Sequence, residues 1–121
     1  MGLTANQARL NVLTSRKSDL EYRLILISNQ TQRLAAEKSA EVSAKADALD
    51  KFMGEDQAIS FTETAAYMDY EQAMAEIEIA QNRLDMQQKS LETELKAVTS
   101  EEEEVSKLVE SNVKKSFGYF N

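Results

Sequence analysis

The chain has 121 residues, 29% of them charged, a formal net charge of −7, and no Cys, His or Pro. Without Cys or His it offers no disulfide, thiolate, zinc-finger or Ser-His-Asp chemistry. An acidic chain with no basic stripe is a poor nucleic-acid binder.

Only Gly2, Gly54 and Gly118 represent glycine. Gly and Pro are the residues that break helices, so the pattern predicts two long helices with one interruption. The charge is uneven: residues 1–51 carry eight Lys/Arg and six Asp/Glu, whereas residues 52–121 carry six and fifteen. Opposite signs suit helices lying side by side, within one chain or between neighbouring chains.

The first helix is expected over residues 4–53. Thr4 and Gln7 have the spacing of a capping box. Leu10, Leu13, Leu20, Leu24, Ile27 and Leu34 follow at the spacing of a coiled-coil seam, with Lys17 and Thr31 in the two intervening a positions. After Leu34 the apolar residues Val42, Leu49 and Met53 suggest a phase slip, with eight residues in place of seven. Residues 54–60 form the expected corner. Gly54 is placed there to end the helix in the left-handed conformation, and Ser60 with Glu63 reads as a second capping box.

The second helix is expected over residues 61–117. Tyr70, Ile77, Leu84, Leu91, Val98 and Val105 recur every seven residues at d. Met74, Leu95 and Val109 fill some a positions, and Gln81, Gln88 and Glu102 weaken others. Residues 118–121 form an aromatic tail. Three of the eight aromatic residues, Phe117, Tyr119 and Phe120, are gathered at this end. The fold class is therefore all-α: two long antiparallel helices in a coiled-coil hairpin. The hairpin seam comprises Leu10, Leu13, Leu20, Leu24, Ile27, Leu34, Ile77, Leu84, Leu91, Val98 and Val105.

Two helices with one stripe each leave much of their surface wet. Val12, Ile25, Leu26, Phe61, Met68, Ile79, Met86 and Leu108 nevertheless lie off the main seams. A helix that is apolar on more than one side expects more than one neighbour. Copies of the same chain are the expected neighbours, giving a helical filament. Val109, Val113, Phe117, Tyr119 and Phe120 are the expected subunit interface.

No residue pattern points to catalysis, a cofactor or a metal. The run Glu101–Glu104 sends consecutive carboxylates in different directions around a helix and lacks the alternating ligands and turning Gly of a calcium loop. It reads as a solvated face. The longest strictly aliphatic run, Leu24–Ile27, is far short of a membrane span, and no cleaved secretion signal is expected. Met53, Met68, Met74 and Met86 could form a promiscuous peptide-binding surface, but their helical spacing reads as core filler.

The opening segment GLTANQARLNVLTSRKSDLEYRL and the closing segment LETELKAVTSEEEEVSKLVESNVKKSFGYF resemble the terminal helices of flagellin-like proteins and of type III secretion needle or filament subunits. That resemblance implies terminal helices paired as a coiled coil in the wall of an extracellular filament. Any variable insert would lie between them, here the corner around Gly54–Thr62. Copies of the chain are the implied partners, with an export apparatus or chaperone beside them. Asn112, Phe117 and Phe120 echo the family's needle-type ending. A soluble cytoplasmic coiled-coil adaptor or secretion chaperone is an alternative reading. A small secreted hairpin dimer of the Trp-x-Gly type is another, with Phe52-Met53-Gly54 at its turn.

Overall fold

In the computed structural model, residues 2–55 and 59–120 are described, with side chains as far as residue 115. Helix α1 covers Leu3–Met53, a 3-10 turn covers Phe61–Glu63, and helix α2 covers Ala65–Phe120. The two long helices pack against each other as a hairpin. Their contacts divide into two units, one of residues 1–26 with 88–121 and one of residues 27–87.

The first unit holds the main apolar core. Leu13, Leu20, Val98 and Val105 form a buried cluster, and Leu10, Leu91, Leu95 and Val109 pack against it. Val105 is 1% exposed. Each is an a or d residue, so the seam of the unit is the one the heptads specify. Full burial of such a side chain contributes about 1.5–3 kcal/mol. The helices have weak propensity terms of their own, and this stripe is what holds them together.

The second unit is built differently. Ile27, Ile77 and Leu84 are buried and Leu34 is half-buried. The predicted phase slip after Leu34 does not occur. Glu41, Lys45, Ala48 and Phe52, all in heptad phase with Leu34, are the half-buried positions, whereas Val42 is largely exposed and Met53 is 74% exposed. Leu49, also half-buried, flanks this face. Lys45 can turn inward because Tyr70 offers it a ring face, with Nζ 4.6 Å from the ring centroid, a favourable cation–π distance. Small side chains leave this seam underfilled. A shallow groove of about 360 Å³ is lined by Leu34, Ala40, Ala73, Ile77 and Ala80, with Glu37, Glu41 and Glu76 at its sides.

The corner is closed by aromatic rings. Phe52 lies 5.6 Å from Phe61, Phe61 lies 5.7 Å from Tyr67 in an edge-on arrangement, and Tyr67 lies 6.3 Å from Tyr70. Such contacts contribute beyond the area they bury. Phe61, expected to await an outside neighbour, is therefore used within this unit. Beside the cluster, the Tyr67 hydroxyl donates to the Glu71 carboxylate. That bond, with the negative charge of Glu71, raises the Tyr67 pKa above the ordinary phenol value.

Three local expectations are corrected. Helix α1 begins at Leu3, and the Gly2 carbonyl accepts the Asn6 N–H at 3.3 Å. Thr4 thus lies inside the first turn rather than at the cap. Gly54 does not adopt a positive φ. Its N–H is shared between the Asp50 and Lys51 carbonyls, at 3.2 Å each, a bifurcated ending that needs no left-handed residue.

The second helix starts at Ala65, not Phe61. The Ser60 hydroxyl pairs with Thr62 Oγ1 at 2.9 Å and makes no cap bond. Thr64 takes that role, with extended backbone. Its Oγ1 accepts the Tyr67 N–H at 3.3 Å and donates to the Phe61 carbonyl at 2.6 Å. The backbone of α2 remains helical through Gly118 to Phe120. The side chains of the expected aromatic tail lie outside the described residues, as does Asn121 as a whole.

A Cβ on Gly54 would meet only the Lys51 and Asp50 carbonyl oxygens, at 3.5 and 3.7 Å. Gly54→Ala is therefore expected to raise stability by about 0.4–1 kcal/mol in urea unfolding. A loss in place of that gain would restore glycine as a requirement of the turn. Phe61→Ala is expected to lower stability by about 1–3 kcal/mol, since Phe61 is half-buried rather than enclosed. Proton linkage gives a further expectation. The folded chain holds the Tyr67 proton more tightly than the unfolded chain, so that contribution is present at neutral pH and is lost as pH rises past the phenol range. Difference titration of the wild type against Tyr67→Phe should show a late-ionising phenol, and Glu71→Ala should return it toward the ordinary value.

Candidate interaction surfaces

Within the first unit, two charged residues at a positions meet in the seam. Lys17 Nζ lies 3.3 Å from Glu102 Oε1, and the Thr14 hydroxyl donates to Glu102 Oε2 at 3.0 Å. Both charged side chains are less than a third exposed. Glu102 therefore does not weaken the seam as an unpaired carboxylate; it is the acceptor for Lys17. Arg9 reaches the neighbouring Glu101 at 2.7 Å. Two carboxylates of the acidic run are thus directed to the first helix, while Glu103 and Glu104 are exposed. Among the described residues no group of three or more acidic side chains could hold a metal ion, and no helix is long and apolar enough to cross a membrane.

A second polar layer lies farther toward the helix start. Asn6 is 6% exposed, and Asn112 Nδ2 is buried without a hydrogen-bond partner among the described residues. The register set by Lys17 and Glu102 brings Asn6 and Asn112 to the same level. A buried amide at a core position costs stability and restricts register.

All eleven expected seam residues are buried or half-buried. The expected subunit interface divides. Val109 packs against the core of its own hairpin, and Val113 is half-buried. The side chains of Phe117, Tyr119 and Phe120 lie outside the described residues.

The outer faces carry what the hairpin does not use. On α1, Val12, Tyr22 and Leu26 are exposed, in phase with Ser15 and Asp19 at alternating spacings of three and four. On α2, Met68, Ile79 and Met86 are exposed, in the same phase as Gln72, Ala75 and Asn82. Val12 is 66% exposed and Met86 70%. These methionines are surface, not the core filler that their spacing suggests. Each stripe repeats every 3.5 residues, the period of a coiled-coil seam.

The flanks of the two stripes differ in sign. Beside the α1 stripe runs a row of Arg9, Arg16 and Arg23, seven residues apart. Beside the α2 stripe run Glu71, Glu78 and Asp85 on one side and Asp69, Glu76 and Arg83 on the other. The arginine row is a basic stripe that the net acidity of the chain conceals. A count of charge by heptad position, in place of charge by segment, reveals it.

Comparison with protein-family models, with curated proteins and with solved structures returns no match to this chain.

A double-mutant cycle on Lys17→Met and Glu102→Gln tests the seam pair. The expected coupling is about 1 kcal/mol, measured by urea unfolding in low salt. Additive effects of the two substitutions would show that the pair contributes no mutual stabilisation.

Proposed function

We propose that this chain is a structural subunit that assembles with copies of itself into a helical filament. No chemistry is assigned to any residue; the work of the molecule is to present surfaces. The observation that carries the reading is the second set of heptad-spaced stripes. The hairpin closes one stripe per helix, yet Val12, Tyr22, Leu26, Met68, Ile79 and Met86 remain exposed. Exposed apolar stripes at coiled-coil spacing favour association with further helices. The resemblance of both end segments to flagellin-like and type III secretion filament subunits supports the same reading, and extends it to a filament displayed outside the cell.

Negative-stain electron microscopy of the full chain, with sedimentation over a concentration series, tests the proposal. Filaments with a critical concentration are expected. Discrete particles at all concentrations and salt conditions would favour an adaptor that binds a partner helix. Substituting Ile79→Ser together with Met86→Ser should leave helix content unchanged and raise the critical concentration, because both side chains are already in solvent within the hairpin.

A further inference from the structure

Resting on the self-assembly reading, we infer that the outer stripe of α1 in one copy docks on the outer stripe of α2 in a second copy. The two surfaces match in three respects. Both repeat every 3.5 residues, so side chains of one can enter the gaps of the other over several turns. Their lengths agree: Val12 to Leu26 spans roughly 21 Å and Met68 to Met86 roughly 27 Å at 1.5 Å per residue.

Their flanks are complementary. Arg16 makes no ion pair among the described residues, and Arg23 is paired only with Asp19 on its own helix, at 3.0 Å. Both are exposed, as are Glu76 and Glu78 beside the α2 stripe. Opposed signs along a shared apolar line steer two surfaces together and disfavour the alternatives. An α2 stripe meeting another α2 stripe would set mainly acids against acids, and two α1 stripes would either oppose their arginine rows or leave those rows without flanking acids to face. The favoured contact is therefore between unlike surfaces. A heterologous contact of this kind leaves a free donor and a free acceptor at every step, so it propagates unless the rotation closes a ring. Gln72 and Asn82 interrupt the α2 stripe and Ser15 and Asp19 the α1 stripe, which restricts the registers available to the pair.

The test uses two full-length variants. One carries Arg16→Glu with Arg23→Glu, the other Glu76→Lys with Glu78→Lys. All four positions are exposed, and circular dichroism must show wild-type helix content for both. Each variant alone then sets like charges face to face, and its critical concentration should rise by on the order of tenfold or more. An equimolar mixture should assemble again, because the altered α1 of the first fits the altered α2 of the second, while their unaltered stripes still fit each other. A single chain carrying all four substitutions should also assemble. Either two-site variant assembling alone like the wild type would overturn the pairing, as would a folded mixture that stays dispersed. In both cases wild-type filaments leave the self-assembly reading standing. A wild-type chain that never assembles overturns that reading, and this inference with it.

Discussion

The pair of Lys17 and Glu102 is the constraint on which the hairpin's register depends. A heptad seam is nearly self-similar: moving one helix by seven residues still sets apolar layers against apolar layers. Such a slide would bring Lys17 toward Leu95 or Val109, and would leave Glu102 away from both Lys17 and Thr14. A charge withdrawn from water without its partner is costly. The pair therefore discriminates among registers that the leucines and valines alone leave similar in energy. The stabilising and the specifying residues are different residues.

The second unit reaches closure by other means. Its α1 strip offers Lys38, Glu41 and Lys45 where the first unit offers leucines, and alanines line the groove beside Ile77. Aromatic rings and a lysine over Tyr70 provide its distinctive contacts. Within the second unit, such a composition lowers the cost of local opening between Leu34 and the aromatic cluster. The chain thus combines a tightly packed apolar seam in one unit with a more open seam, ended by a ring cluster, in the other.

Much of this was legible in the residues. The spacing of Leu13, Leu20, Val98 and Val105 sufficed for the seam because period and chemistry agree there. Beyond Leu34 they disagree. Val42 and Met53 are apolar and drew the reading off phase, whereas Lys45 keeps the phase and finds a partner, Tyr70, remote in sequence. The start of α2 was misplaced for a similar reason. Ser60 and Glu63 satisfy the capping pattern, but the Ser60 hydroxyl is used by Thr62, and the cap at Thr64 lacks the acid three residues on that would announce it. The arginine row was missed because summed charge over a segment discards the angular position of each residue. None of these failures concerns the helices as such. Lys45 and Ser60 have partners that lie elsewhere in the chain or on the next turn, and the arginine row differs only in the angular position of its residues.

The ring cluster at the corner has a consequence for how the chain can be altered. Phe52 and Phe61 hold the two ends of the corner segment together by side-chain contact at 5.6 Å. Ordinary dihedral angles at Gly54 mean that no special backbone geometry at that residue is required to turn the chain. Closing a loop between ends that are already anchored costs little more as it lengthens, about 0.6 kcal/mol per doubling. The corner is thus a natural port for foreign sequence. A peptide epitope or a small folded module spliced there would hang from the aromatic clasp, and the seam of the first unit would be left to fold as before.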